Sequence, residues 1–354
     1  MREQRIFKGL LLFFVLVFGC GCGVGSGPRG RIGSYATATA VTNFMSLSDI
    51  GNHGGVGEGN GQVYTCKAGH IDLAHARKSA DYTRYFAQKI FGYLMESRES
   101  FTLKMKEPSR YMIRIVYPEN WKGLSQQQRE QIAWDVSIEL GQYASYTGST
   151  WHEMITWYGY TSAVIISETN STFAWEDGIS NLFGSYVAKA ALKGIDSQSF
   201  DEYLFNRKMT SALFSELKDI GIQSASVARD ASRQVEGLWY SKLLIYVKMK
   251  KMHLDIGYDD GYVTGWVIPG VGNCSYAEAK PYPAPRLDDL KEYGFSASFE
   301  IEPRCRGGGK ILDIANKAVT IEPETDFPLI IDNIRETAAR KYKDPDVDKP
   351  FSVD

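Results

Sequence analysis

Residues 63–77 read VYTCKAGHIDLAHAR, and along this stretch a run typical of a β-strand gives way to a segment with helical spacing. Residues 62–66 carry the β-branched and aromatic side chains that strands favour. From Asp72 to about Met95, apolar residues recur every three or four positions, which predicts an amphipathic helix. Because positions three apart share one face of a helix, Asp72 and His75 are predicted to form a hydrogen-bonded pair.

Elements further along the chain are predicted from the same kinds of signal. Residues 110–117 alternate as a strand does, and Ser125 with Gln128 is placed as a capping box at the start of a second helix. A Thr-Gly-Ser-Thr run at 147–150 is expected to interrupt that helix before a short helix over 151–158. Other predicted elements are a strand over 163–168, a helix capped by Ser171 or Thr172 and ended by Gly194, and helices over 199–219, 224–252 and 330–342.

The character of the chain changes at about residue 257, after which Gly, Pro and aromatic residues become frequent. Short alternating runs in this part predict strands within irregular chain. We therefore predict an α-rich α+β fold with a few antiparallel strands. A mainly helical body over 34–256 is expected to carry the candidate site, and a β-containing, irregular C-terminal region over 257–354 is expected to pack on it.

The first 33 residues predict export and anchoring. A basic head precedes an uncharged run over 9–18, which is the layout of a secretory signal and is too short to span a bilayer. The following Val-Phe-Gly-Cys resembles the lipobox of bacterial lipoproteins, so residues 1–19 are predicted to be cleaved and Cys20 to carry the lipid, palmitate included. Cys22 is the weaker alternative, and a cleaved signal that releases a soluble protein is the other interpretation. Residues 20–33 would then form a flexible tether.

The composition is that of a globular protein outside the nucleic-acid-binding classes. Hydrophobic residues make up 44% and charged residues 23%, the formal net charge is −2, and the sequence has no basic stripe or nucleic-acid motif. No second apolar stretch reaches membrane length. The expected partners are the membrane, through lipid on Cys20, and an envelope peptide or glycan. In a diderm bacterium the expected location is the periplasmic side of the outer membrane.

Four cysteines remain besides Cys20, and an exported protein meets conditions that permit disulfides. Cys274 and Cys305 lie in the same Pro- and Gly-rich region, so they are the preferred disulfide candidate. Cys66 would then be free or paired with Cys22. The chain has no Cys-x-x-Cys pair, which argues against a redox or zinc-ribbon role.

Three short segments concentrate side chains that can do chemistry, at residues 69–77, 150–154 and 173–181. Each lies near a predicted helix start, where exposed backbone N–H groups attract ligands. Three of the five histidines fall in the first two segments. The three segments are therefore predicted to meet in one polar site.

The sharpest hypothesis for this site is a catalytic zinc ion. Three nitrogen or oxygen ligands with an open position for water are the usual design of such a centre, and a carboxylate then takes a proton from the water. The predicted site comprises the metal ligands His75, His152 and Glu176, the catalytic carboxylates Glu153 and Asp177, and the supporting residues Asp72 and Arg77. His152-Glu153 resembles the His-Glu pair of zinc proteases, but Thr156 stands where those proteins need a second His.

Two other interpretations of the same residues stay open. In the first, the carboxylates and histidines only cap helices and form a satisfied buried polar network. In the second, two carboxylates among Glu139, Glu153, Glu176 and Asp177 cleave glycans in a cleft without a metal. The aromatic walls of that cleft would be Trp151, Trp157, Tyr158 and Trp175.

Residues 63–77 also resemble the hallmark of an uncharacterised family of bacterial lipoproteins, a domain of unknown function with the pattern Tyr-Thr-Cys-x-x-Gly-x-Ile-Asp-x-Ala-His-x-Arg. Asp72, His75 and Arg77 match this hallmark. The chain departs from the family's usual residues at 67, 68 and 70, which weakens His70 as an essential ligand. The resemblance extends to the Trp-His-Glu and Trp-Glu-Asp motifs and to the lipoprotein start, and it implies no particular activity.

Together these features predict a cell-envelope lipoprotein that is a hydrolase of peptide or glycan, with metal dependence as its sharper form. The alternative is a non-catalytic envelope protein that binds a partner or serves as a scaffold. Convergence of the His75, His152 and Glu176 side chains within about 4 Å of a common point, with room for water, would favour the metal-dependent hydrolase.

Overall fold

The computed structural model describes residues 28–29, 31, 43–161, 168–243, 246–274 and 278–350. They form a helix-rich α+β fold, as predicted. The helices are α1 (Leu73–Met95), α2 (Gln126–Trp157), α3 (Asp177–Lys193), α4 (Glu202–Asp219), α5 (Ala225–Gln234), α6 (Gly308–Ile314) and α7 (Pro323–Tyr342). The strands are β1 (Gln62–Thr65), β2 (Gly69–Asp72), β3 (Ser100–Leu103), β4 (Arg110–Val116), β5 (Tyr240–Leu243), β6 (Tyr246–Met249), β7 (Tyr262–Thr264), β8 (Pro281–Pro283) and β9 (Ser296–Glu302).

The centre of the molecule is a group of three helices in which α1 packs along both α2 and α3. Two glycines allow the backbones to approach closely. A Cβ atom on Gly184 of α3 would lie 1.9 Å from the carbonyl oxygen of Ala76, and one on Gly141 of α2 would lie 2.8 Å from the amide nitrogen of Ala87. This packing holds the first turn of α1, with His75, against α3.

The strands form small antiparallel sheets at the edges of this helical centre. β1 and β2 make a hairpin whose register sets Gln62 opposite Asp72. β2 runs directly into α1, so the end of the hairpin and the first turn of the helix form one continuous segment. The order β3-β4-β9 makes a three-stranded sheet, and β5-β6 and β7-β8 are two-stranded.

The hydrophobic core joins the helical body to the C-terminal region. One cluster combines Phe86 of α1 and Leu140 of α2 with Phe299 of β9 and Ile330 of α7. A second cluster lies between α1, α3 and α4, and includes Leu182 and Met209. The C-terminal region thus contributes α6 and α7 as well as strands. The boundary between the two regions at residues 256 and 257 stays a prediction.

Several elements confirm the sequence-based expectations. α1 covers the predicted amphipathic segment, and β4 covers residues 110–116 of the alternating run predicted over 110–117. The hydroxyl of Ser125 accepts a hydrogen bond from the backbone N–H of Gln128, and the Gln128 side chain accepts one from the backbone N–H of Ser125. The predicted capping box is therefore present at the start of α2.

The predicted interruption of the second helix at 147–150 is wrong, because α2 continues unbroken to Trp157. The hydroxyl of Ser149 donates to the carbonyl oxygen of Ser145 one turn earlier, which keeps this polar side chain satisfied within the helix. Gly148 faces Met105, and a Cβ there would lie 2.1 Å from the sulfur. Tertiary packing thus outweighs the weak local helix propensity.

Other predicted helices differ in extent. α3 begins at Asp177 rather than at Ser171 or Thr172, although Gly194 ends it as expected. Segment 224–252 is helical only over α5 and then turns into the β5-β6 hairpin, because short apolar runs do not distinguish the two structures. Residues 163–167 of the predicted strand, the signal segment and Cys20 lie outside the described residues. In the portion that is described, no helix combines the length and apolarity that crossing a bilayer requires.

The predicted disulfide between Cys274 and Cys305 is wrong: Cys274 is bonded to Cys66, and Cys305 is free. Cys66 and Cys274 share a cluster with Tyr64, Trp239 and Trp266. Cys305 instead packs against the core cluster that contains β9 and α7. Cys274 and Cys305 therefore belong to two different parts of the core. Their proximity in the sequence did not indicate which cysteine each would bond to.

Candidate functional site

A cavity of about 80 Å³, the His75 pocket, opens where α1, α2 and α3 meet. This volume holds a few water molecules or a small chemical group. Members of all three predicted polar segments contact the cavity. The side chains most relevant to its chemistry are His75 and Lys78 of α1, His152 and Glu153 of α2, Asn181 of α3, and Lys106 of the loop between β3 and β4.

Asp72 and His75 form the pair that their spacing predicts. One carboxylate oxygen of Asp72 accepts a hydrogen bond from the backbone N–H of Ala74 at 2.7 Å and so caps α1. The other oxygen lies 3.1 Å from Nδ1 of His75. The backbone N–H of Asp72 donates to the hydroxyl of Ser180 at 2.8 Å, which ties this corner to α3.

Asp177, the first residue of α3, supplies a second carboxylate to His75. Its Oδ1 lies 3.7 Å from Nδ1 of the imidazole, and its Oδ2 accepts a hydrogen bond from the backbone N–H of Ala174. The His75 side chain remains 34% exposed, whereas both carboxylates are buried. The two buried carboxylates therefore hold the imidazole on one side, while its exposed edge lines the pocket.

The electrostatics of His75 favour its charged form. Burial lowers the pKa of the imidazole, but the negative charge of Asp72, followed by that of Asp177, outweighs burial and raises the pKa to about 9. His75 is thus a protonated donor at neutral pH.

His152 has the opposite charge state, although it lies in the same pocket. Burial, together with the positive charges of Lys78 and His75, lowers the pKa of its imidazole to about 3. The pocket therefore contains one charged and one neutral imidazole at neutral pH. Neighbouring titratable groups whose pKa values are pushed apart are a common property of catalytic sites.

The carboxylates behind the pocket are too crowded to be ionised together. Burial first, and then repulsion by Asp72, raises the pKa of Glu176 to about 8. Burial also raises the pKa of Asp177 well above its ordinary value, despite the nearby His75. One oxygen of Glu176 accepts a hydrogen bond from the Gln62 amide at 2.8 Å, while its Oε2 is buried without a partner. Asp72 is accordingly the main counter-ion of His75.

Glu153 brings a carboxylate to the wall of the pocket itself. It is 9% exposed, and its Oε2 accepts a hydrogen bond from the backbone N–H of Phe173 at 3.0 Å. Phe173 has a φ of +52°, a conformation rare for a bulky residue, and the turn that it forms leads into the start of α3. The site thus combines a protonated imidazole and a carboxylate around a small cavity.

The predicted zinc ligands are only partly brought together. His75 and His152 share the pocket, but Glu176 lies behind it with its side chain bonded to Gln62. Within the described ranges, no group of three or more His, Cys, Asp or Glu side chains is arranged to hold a metal ion. The protonated imidazole of His75 is also a poor ligand. These residues do not fit a three-ligand zinc centre.

Arg77 was predicted to support the site, and the structure places it elsewhere. Its guanidinium donates to the carbonyl oxygens of Ile50 and Gly51 and pairs with Glu58 at 3.2 Å. These partners do not line the His75 pocket. The reason is angular, because residues two apart on a helix point about 200° away from each other.

The predicted aromatic cleft is not present around these carboxylates. Trp151 is fully buried and stacks on Phe327, and Trp175 is buried against Tyr240. Trp157 packs against Tyr342, and Tyr158 donates a hydrogen bond to Asn333. Glu139 pairs with Lys189 and Lys193, away from the pocket. These residues therefore do not form a glycan-binding cleft with the candidate carboxylates.

Sequence reasoning missed several participants. Gln62 reaches Glu176 because the β1-β2 register sets it beside Asp72, and that register was not predicted. Lys78 follows His75 by three positions on α1, so the helical spacing could have indicated that both side chains share one face. Lys106 and Tyr160 come from loops, where spacing gives no guide.

The fold and the pocket define an α+β protein with a buried acid–base cluster at a helical junction. Its chain belongs to the family described as protein of unknown function (DUF4056), whose model matches residues 33–259. That span includes every residue named above as lining the pocket or supporting His75. Comparison with curated proteins and with solved structures found no significant match.

Proposed function

We propose that this protein is a hydrolase of the bacterial cell envelope that works by general acid–base catalysis in the His75 pocket and is held at the membrane by lipid on Cys20. The observation that carries the proposal is the pairing of a charged, partly exposed imidazole with the Glu153 carboxylate in one cavity. A proton donor and a carboxylate in one small cavity are what hydrolysis of an amide, ester or glycosidic bond needs.

The roles follow from the charges. Glu153 takes a proton from a water molecule, and the water oxygen forms a bond to the electrophilic carbon of the substrate. His75 gives its proton to the nitrogen or oxygen that leaves as the bond breaks. Asp72 and Asp177 are positioning residues, because both hold the imidazole and the charge of Asp72 favours its protonated form.

Activity on purified peptidoglycan sacculi tests this proposal, since the sacculus contains both glycan and peptide bonds. We expect the wild-type chain to release soluble fragments, which mass spectrometry assigns to one type of bond. Glu153→Gln and His75→Gln should each lower the rate at least about 100-fold. Glu139→Gln, which changes a buried carboxylate outside the pocket, should retain the wild-type rate. No release by the wild-type chain, or an unchanged rate in Glu153→Gln, would contradict the proposal.

The lipid anchor is supported by the basic head, the apolar run and the Cys at its end, and it has a test of its own. Cells that express the chain are labelled with radioactive palmitate, and the protein is then isolated. We expect labelled wild-type protein, unlabelled Cys20→Ala, and labelled Cys22→Ala. Label that persists in Cys20→Ala but disappears in Cys22→Ala would move the anchor to Cys22.

A further inference from the structure

Two arginines that follow the predicted lipid site are fastened to the folded body. Arg31 is 3% exposed, and its guanidinium contacts Glu58 at 3.0 Å and Asp81 at 2.6 Å. Arg29 donates to the carbonyl oxygen of Gly54 at 2.6 Å and pairs with Glu202 at 2.9 Å. Arg29 is therefore a fixed point on the body that lies close to Cys20 in sequence.

The tether limits how far this point can be from a bilayer. Only eight residues, 21–28, separate Cys20 from Arg29. A fully extended chain rises at most about 3.3–3.6 Å per residue, so Arg29 lies within about 30 Å of a lipid-anchored Cys20. A lipid on Cys20 would therefore keep the surface around Arg29 close to the membrane.

That surface carries the two most exposed large apolar side chains of the described residues. Val56 is fully exposed and lies two residues after Gly54, which Arg29 binds. Tyr203 is 73% exposed and follows Glu202, the other partner of Arg29. The loop and the start of α4 are in contact, because a Cβ on Gly54 would lie 2.5 Å from the Asn206 side chain.

Arginine side chains lie beside the apolar ones, and one of them is paired with Glu202. The guanidinium of Arg207 lies 5.9 Å from the centre of the Tyr203 ring, and Arg29 is itself half-exposed. Tyr at a water–lipid boundary places its ring among lipid chains and its hydroxyl among headgroups, while Arg binds phosphate. Together, Arg29, Val56, Tyr203 and Arg207 form a surface that we call the anchor face.

We infer that the anchor face rests on the surface of an anionic phospholipid bilayer, with Val56 and Tyr203 inserted at the headgroup level. This inference rests on the proposed lipid anchor, which brings the face to the membrane. It fixes an orientation of the body, since α1 carries both the Asp81 that holds Arg31 and the His75 of the pocket. On that helix His75, Lys78 and Tyr82 face the pocket, whereas Arg77 and Asp81 lie on a different side.

Depth-dependent fluorescence quenching tests the inference. The full chain is expressed with Cys22→Ser and Cys305→Ser, so that a fluorophore can be attached to a single cysteine introduced as Val56→Cys. The protein is recovered from membranes and placed in vesicles of phosphatidylglycerol and phosphatidylcholine that contain lipids with a shallow nitroxide quencher. Val319→Cys is the matched control. Val319 is also exposed, but it lies next to Ile321, which belongs to the core cluster of β9 and α7 rather than to the cluster that contains α4.

We expect quenching at position 56 to exceed that at position 319 by about threefold or more, as a probe at the lipid boundary requires. Equal quenching at the two positions in an anchored chain would overturn the orientation and leave the lipid anchor standing. A chain recovered in the soluble fraction would contradict the anchor itself and, with it, the inference built on it. Hydrolysis of sacculi by the same protein is measured separately and does not depend on either result.

Discussion

At the scale of single residues, the chemistry of this protein depends on how neighbouring carboxylates share protons. His75 is charged because Asp72 lies 3.1 Å away, whereas Glu176 retains its proton because it is buried and faces the same Asp72. Separate ionisation of every group would place several negative charges together in an environment with little water, which costs more than protonating some of them. The pocket therefore holds a charged imidazole beside the carboxyl groups of Glu107 and Glu153, rather than a uniform patch of negative charge.

Glu176 makes this proton sharing measurable through stability. Burial, followed by repulsion from Asp72, raises its pKa from 4.5 to about 8, so in that window the folded chain holds a proton that the unfolded chain releases. This group therefore makes the free energy of unfolding fall as pH rises, by up to about 1.4 kcal/mol per pH unit. Glu176→Gln lacks the titrating proton and should lose less stability across the window in urea denaturation.

Glu336→Gln is the control, because Glu336 is 69% exposed on α7 and should leave the wild-type pH dependence unchanged. Wild type and Glu176→Gln could instead lose equal stability between pH 4.5 and about 8. That result would show that Glu176 does not hold a proton in the folded state.

At the scale of secondary-structure elements, the close contact between α1 and α3 positions the site. Gly184→Ala would place a methyl group 1.9 Å from the carbonyl oxygen of Ala76, next to His75, so the helices must separate. We expect the free energy of unfolding to fall by about 3 kcal/mol, as overpacking of a tight contact does. Thermal and urea denaturation measure the loss.

Gly92→Ala is the matched control within α1. No atom lies within 4 Å of the Cβ that it would gain, and Gly92 is exposed. Because Ala favours helix over Gly, this variant should be about 0.5–1 kcal/mol more stable than wild type. A Gly184→Ala variant as stable as wild type would contradict the close approach of the two helices.

The secondary-structure elements also show which parts of the fold could be predicted from the sequence alone. Periodicity and capping identified α1, β4 and the start of α2, because those signals are local. The unbroken course of α2 through residues 147–150 depends on packing against Met105, and the partner of Cys66 lies 208 residues away. The pairing of Asp72 with His75 followed from helical spacing, whereas the place of Glu176 and the turn of Arg77 away from the site required the three-dimensional arrangement.

At the scale of the whole molecule, a buried charge network joins the N-terminal segment to the body. Arg31 contacts Asp81 and Glu58, and His53 lies 3.1 Å from Asp81. Removing one partner of a buried ion pair leaves the other without compensation, so Arg31→Ala should cost about 3–5 kcal/mol of unfolding free energy. Arg29→Ala removes an exposed pair and should change stability by less than about 1 kcal/mol.

Denaturation of the two arginine variants side by side separates these expectations. Similar, small losses in both would mean that the segment around Arg31 is not fastened to the body in solution. The anchor face would then lose its fixed distance limit from Cys20, because the docking of Arg29 and Arg31 is what sets that limit.

The charge state of His75 is the most direct test of the acid–base pocket, and NMR titration of selectively labelled histidine measures it. The five histidines are resolved by their ring signals, with His75→Gln to assign the one of interest. We predict a pKa of about 9 for His75 in the wild-type chain, and a decrease of at least about one unit in Asp72→Asn, where the main counter-ion is lost. A wild-type His75 that titrates at or below its ordinary value of 6.5, or a midpoint unchanged by Asp72→Asn, would contradict the acid–base site.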